Sequence, residues 1–148
     1  MKDLGFDKEV VVEVKGIQQI GEERDTTEIL TNGVYYHRNK ICYILYDEFF
    51  EENSEPVKNI IKITDSSIEL TKKGLYNVTM TFDTERESLS YYNTPYGQML
   101  IGISTEEIIL ETTDTEAIIK IIYQLIINGE HASDNIIEIK VRNRKWVV

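Results

Sequence analysis

Cysteine is almost absent from this chain: Cys42 stands alone, so no internal disulfide can form, which suits a reducing compartment. Histidine is nearly as scarce, and His37 and His131 lie far apart with no third nitrogen or sulfur spaced to complete a zinc site. Glycine-rich phosphate loops are missing, and no serine sits in a nucleophile-elbow setting. Cys42 falls in an extended run with no neighbouring cation in sequence to lower its pKa, so nothing supports nucleophilic chemistry. No metal and no cofactor is therefore expected. An apolar run approaching the roughly 20 residues that cross a bilayer is also lacking. The opening residues, Met1-Lys2-Asp3-Leu4-Gly5-Phe6-Asp7-Lys8, carry acid where a secretion signal needs a basic and then apolar stretch, so the expected location is the cytoplasm. Basic residues are outnumbered 16 to 26, and a net charge of -10 repels both nucleic acid and anionic membrane surfaces. The Arg142, Arg144, Lys145 cluster reads as a solvated tail, and the pairs Glu22-Glu23, Glu51-Glu52 and Glu106-Glu107 as solvated turns rather than calcium sites.

What the chain has in quantity is alternation. Val10, Val12 and Val14 alternate with Val11, Glu13 and Lys15; Cys42, Ile44, Tyr46 and Glu48 share one face of the next clear run; Ile61 and Ile63 oppose Ile60, Lys62 and Thr64. Ile68 and Leu70 share a face on which the one charge is Lys72, while Val78, Met80 and Phe82 oppose Asn77, Thr79 and Thr81. A period of two, rich in β-branched residues, predicts strands. Gly16 is expected to mark a bulge in the first. Asn32-Gly33 reads either as a tight hairpin or as a glycine bulge within one bent strand, with the bulge preferred. Arg38-Asn39-Lys40 is a turn, and Gly129 to Asp134 a loop.

Tyr91-Tyr92-Asn93-Thr94-Pro95-Tyr96-Gly97 ends one alternating run and begins another. Proline removes a ladder donor and glycine admits positive φ, so this is a corner in a sheet, with more hydrogen-bonding groups than a plain turn needs. Leu89 and Tyr91 alternate with Ser90, Tyr92 and Thr94 before it; Met99, Ile101 and Ile103 follow it up to a break near Thr105-Glu106. The segment 116–127 fits two templates. As a helix it would carry Ile118, Ile119, Ile122, Leu125 and Ile126 on one stripe. As a strand it would carry Ile119, Ile121, Tyr123, Leu125 and Ile127 on one face, and its isoleucine content favours the strand. Ile137, Ile139 and Val141 form a last strand, and Trp146-Val147-Val148 is expected to pack. The sum is a single all-β domain over residues 1–148, a meander of about eight to ten antiparallel strands closed into a barrel, which disposes of exposed edges.

The ordered segments Val12-x-Val14-Lys15-Gly16-x-Gln18, Asn32-Gly33-Val34-Tyr35-Tyr36, Tyr43-x-x-Tyr46-x-Glu48, Ile61-Lys62-Ile63-Thr64, Met80-x-Phe82 and Tyr92-x-Thr94-Pro95-Tyr96-Gly97 resemble the YwiB-like family of small bacterial β-barrel proteins. The resemblance runs over nearly the whole chain and rests on order and spacing. It implies a calycin-like, lipocalin-like barrel, and it brings no catalytic residues, the family being one of unknown function. Lys73-Gly74 stands where the family pattern has arginine before glycine, which argues against a flat bidentate contact there.

Tyr46 and Glu48 lie two apart on a strand and so project to the same side. If that side is the interior, Glu48 needs a partner, with Lys62, Tyr92, Thr94 and Tyr96 as candidates. A buried carboxylate ringed by phenols suits a cationic or hydroxylated small molecule; the same residues would equally serve as an internal network fixing strand register. Tyr92, Thr94 and Tyr96 would line a pocket mouth or, alternatively, staple the corner to backbone. Three functions follow. The first is a non-enzymatic barrel binding a small, partly apolar ligand through Tyr46, Glu48, Lys62, Tyr92, Thr94 and Tyr96. The second is a side-chain-filled barrel that meets a protein partner through tyrosine-rich faces. The third is an enzyme using Glu48 as general base.

Overall fold

The computed structural model describes residues 1–51, 54–74 and 77–145. Its ten strands are β1 (Glu9–Ile20), β2 (Glu23–Arg38), β3 (Ile41–Glu48), β4 (Val57–Ile63), β5 (Ile68–Lys73), β6 (Asn77–Phe82), β7 (Ser88–Thr94), β8 (Gly97–Thr112), β9 (Glu116–Ile127) and β10 (Glu130–Asn143), with no helix among the described residues. They form one sheet in the order β6-β5-β4-β3-β2-β1-β10-β9-β8-β7. Every ladder is antiparallel, and β1 pairs with both β2 and β10. The sheet curls until its edges, β6 and β7, nearly meet. They share no ladder, but the Tyr92 hydroxyl on β7 donates to the Thr79 carbonyl on β6 at 2.8 Å, satisfying an edge acceptor across the seam. This is the all-β meander barrel that the alternation predicts.

Inside, Val10, Val12, Ile44, Ile61, Phe82, Ile119, Ile121, Ile139 and Val141 are fully buried. Each such side chain stabilises the fold by roughly 1.5–3 kcal/mol relative to exposure. Segment 116–127 is strand β9, with Ala117, Ile119, Ile121 and Tyr123 turned inward. Its isoleucines keep in a strand the rotamer freedom that a helix would restrict.

Three expectations change. Gly16 and Gly33 are not bulges; both sit in continuous register, Gly16 opposite Thr27 and Ile137, Gly33 opposite Val10 and Tyr46. Gly33 is required by close packing, since a Cβ there would lie 2.7 Å from both the Leu45 carbonyl oxygen and Val12 Cγ2. The bulges are instead at Thr105/Glu107 on β8 and His131/Ser133 on β10, both against β9. No long loop follows Gly129: Asn128 and Gly129, at φ 49 and 82, make a two-residue hairpin turn and β10 starts at Glu130. On β7, Leu89 and Tyr91 are exposed while Ser90, Tyr92 and Thr94 face inward. Arg142 lies within β10, opposite Val11 and Glu116, and Arg144 reaches Glu9 at 3.6 Å, so the basic tail begins in the sheet. Trp146-Val147-Val148 lies outside the described residues.

The two ends of the barrel differ. Residues 1–7 cross one end as a strap: Tyr35 Oη donates to Asp3 Oδ1 and accepts from the Leu4 N–H at 2.8 Å, and the Phe6 ring meets Tyr35 edge-on at 5.4 Å. Beneath it, the Cys42 thiol donates to the Lys2 carbonyl at 3.4 Å, and His37 Nε2 lies 2.8 Å from the Met1 carbonyl oxygen. The opposite end, ringed by the turns at Gly21, Pro95 and Asn128, carries no such strap among the described residues and forms a mouth.

Candidate functional site

At the mouth β3 delivers Tyr46 and Glu48 to the interior, because Cys42 and Ile44 on the same face are committed to the core. The register aligns Tyr46, Asn59 and Lys72 across β3, β4 and β5. Glu48 Oε1 therefore accepts two donors, Lys72 Nζ at 3.2 Å and Asn59 Nδ2 at 3.3 Å. The Glu48 side chain is 11% exposed, against 38% for Lys72. Asn59 is 1% exposed and also donates to the Val57 carbonyl at 3.2 Å, yet its buried Oδ1 has no partner among the described residues.

The facing wall is a second row. Thr105, Tyr123, Asn135, Gln18 and Asp25 stand opposite one another in turn across β8, β9, β10, β1 and β2. Asn135 Nδ2 donates to Ser133 Oγ at 2.9 Å, and Gln18 Nε2 approaches the same oxygen at 3.4 Å. Both bulges flank β9 at this level, where added twist turns polar side chains inward. The rows enclose a cavity of about 280 Å³ whose apolar walls include Val14, Ile29, Leu70, Met80 and Ile137. Gly16 also lines it, and the missing side chain leaves space that any other residue would take.

Two phenols set the character of this cavity. Tyr46 is 4% and Tyr123 8% exposed, and both line it. Burial pushes the Tyr46 phenol well above its ordinary range, with the Glu48 charge adding to the effect, and burial alone pushes Tyr123 up to about 12. Neither hydroxyl has a hydrogen-bond partner among the described residues. Among the described residues the fully buried polar atoms without a partner are Asn59 Oδ1 and Thr105 Oγ1; the two phenol oxygens are not sealed in the same way, so they stay available to whatever enters the cavity.

The sequence-derived candidates separate. Tyr46 and Glu48 come together at the cavity. Lys62 does not join them: Ile61 and Ile63 point inward, so Lys62 points out, 5.9 Å over the Tyr43 ring, which stacks on Tyr36 at 4.6 Å. Tyr92 spans the seam. Thr94 Oγ1 donates to the Gly97 carbonyl at 2.6 Å and accepts from the Tyr96 N–H at 3.2 Å, tightening the hairpin tip, which leaves Tyr96 100% exposed. Thr94 thus holds the corner to its own backbone, while the Tyr92 hydroxyl ties β7 to β6 instead of the corner. Lys72, Asn59, Tyr123 and Asn135 were not among the candidates. Lys72 had a signal, being the lone charge on the face of Ile68 and Leu70.

The family model described as "Domain of unknown function (DUF1934)" matches residues 12–139. The chain belongs to the DUF1934 family. The uncharacterized beta-barrel protein YwiB of Bacillus subtilis is 22% identical over 121 residues, covering 82% of this chain and 84% of that one. The crystal structure of ywiB protein from Bacillus subtilis aligns with a TM-score of 0.75 at 21% identity over 91% of each chain, which speaks for the fold. The YwiB-like resemblance seen in the sequence is thus shown. The DUF1934 match contains every mouth residue named above, whereas the strap precedes it.

A larger groove, about 670 Å³, lies at the strapped end between the strap, the β4–β5 turn and the end of β8. Part of its polar rim is already bonded internally: Thr64 Oγ1 with Ser67, and Thr113 Oγ1 with the Glu116 backbone. The mouth is smaller, but it is the one that offers buried polar groups without partners.

Proposed function

We propose that this DUF1934 protein is a non-enzymatic barrel that binds a small, partly apolar molecule at its mouth. The observation carrying this reading is an apolar-walled cavity lined by Tyr46 and Tyr123, whose hydroxyls make no hydrogen bond to the described residues and stay available to a ligand. Apolar walls with a few convergent polar groups are the usual makeup of small-molecule sites, and barrel mouths are a common place for them. About 280 Å³ suits a ligand near the small end of that class. Meander topology with one open end supports a lipocalin-like comparison, and one buried cysteine suits the cytoplasm. Glu48 serves here as a held acceptor; Lys72 and Asn59 on Oε1 weigh against the general-base alternative.

The test is native mass spectrometry of protein purified from cells, beside Gly16→Val, which fills the cavity. A small-molecule adduct present in the wild type and absent from the variant is expected. Equal adducts on both, or none on either together with no fragment binding at the mouth, contradict the reading. A second reading, a protein-interaction module, is favoured by the outward Leu89 and Tyr91 on edge strand β7 beside exposed Tyr96. It predicts a second chain rather than a small adduct in the same spectrum.

A further inference from the structure

We infer that the ligand of the mouth carries one positive charge, as a protonated amine on an apolar body. This rests on the small-ligand reading and names its chemical class. The charged groups lining the cavity are Asp25 on β2, Glu48 on β3 and Lys72 on β5. Two carboxylates face one ammonium, so the empty cavity is one positive charge short of neutrality. Lys72 supplies its charge to Glu48 Oε1 alone. Glu48 Oε2 and the carboxylate of the exposed residue Asp25 have no hydrogen bond or ion pair among the described residues.

Carboxylates therefore outnumber cations among the lining groups, and the Tyr46 and Tyr123 hydroxyls, which can accept as well as donate, stand beside ring faces that attract cations. An ammonium has three donors and no acceptor, and so fills this set without stranding a group of its own. A neutral alcohol offers one donor. A carboxylate brings further acceptors to a site already rich in them, beside Glu48, and would have Lys72 as its one cationic partner. Val14, Ile29, Leu70 and Met80 supply the surface for the hydrocarbon part. The protein's net charge of -10 draws a cation toward the mouth from a distance.

The experiment titrates three probes of similar body and different charge, 2-phenylethylammonium, 2-phenylethanol and 3-phenylpropanoate, into isotope-labelled full chain at neutral pH. It follows the amide resonances of Tyr46, Lys72 and Tyr123. The expected order is ammonium first, roughly tenfold tighter than the alcohol, as a charge-assisted hydrogen bond gives, with the carboxylate weakest. Lys72→Met, which removes a competing cation from Glu48, should tighten ammonium binding, and Glu48→Gln should bring it down to the level of the alcohol. Equal affinities, or a carboxylate that binds best and is lost in Lys72→Met, overturn the inference while leaving the small-ligand reading in place. No response of the mouth to any probe overturns both. The probe order in the wild type decides the matter even if Glu48→Gln does not fold.

Discussion

The same ten strands end in two unlike ways. At the strapped end, inward positions are aliphatic or aromatic, and the polar groups that reach them are bonded: the Tyr35 hydroxyl holds Asp3 and Leu4, and the Cys42 thiol bonds the strap backbone. At the mouth the inward positions become Gln18, Asp25, Glu48, Asn59, Lys72, Tyr123 and Asn135, a space is left, and polar atoms without partners face or flank it. A barrel needs one sealed and well-packed end to be stable. It can then give up packing at the other, and the mouth's polar lining is where that freedom has been used.

Changes at the two ends should therefore cost differently. Ile119→Ala, at a fully buried position toward the strapped end, should lower unfolding free energy by about 2–5 kcal/mol in denaturant titration. A loss below the lower bound would mean that this end is looser than described. Tyr35→Phe leaves the half-buried Leu4 N–H without its partner, while the exposed Asp3 carboxylate can turn to water, and should cost about 1 kcal/mol. It should also open the strap enough that Cys42 reacts faster with a thiol reagent, and unchanged reactivity would count against the strap as the seal.

Alkaline pH probes the mouth. The Tyr123 phenol is raised from 10.0 to about 12 in the folded chain, so between those values the unfolded chain has lost a proton that the folded chain keeps. Stability is then full below pH 10 and falls as pH rises toward 12. Tyr123→Phe should lessen that fall, in denaturant midpoints taken across the range, without abolishing it, since Tyr46 and Tyr35 are also held well above their ordinary range; an unchanged slope would place the effect elsewhere. The smallest effect belongs to Tyr46→Phe. Its hydroxyl bonds nothing among the described residues, so the loss near neutral pH should stay below about 0.5 kcal/mol, less than an ordinary hydrogen bond contributes.

Much of this contrast could be read from residue order. Period-two alternation gave the strands and the shared face of Tyr46 and Glu48, and the isoleucines of 116–127 decided strand over helix. Two kinds of information were not local. Alternation defines two faces of a strand without saying which is inside; on β7 it is Ser90, Tyr92 and Thr94 that turn inward, while Leu89 and Tyr91 are exposed. Partners across strands depend on register, which is why Glu48 found Lys72, 24 residues on, rather than Lys62. The two Asn-Gly pairs show the same limit. Asn128-Gly129 makes a hairpin turn, while Asn32-Gly33 lies inside β2, where the glycine answers to the closeness of Val12 and Leu45.

The central claim is that the mouth, and not the strapped end, is the binding end. A screen of small amine-bearing and neutral fragments, read by amide chemical shifts over the whole chain, tests it most directly. The account predicts saturable shifts clustered at Tyr46, Lys72, Tyr123 and Asn135, with Thr84, Ile108 and Leu110 in the strapped-end groove unmoved. Shifts clustered at Thr84, Ile108 and Leu110, with a silent mouth, would contradict it.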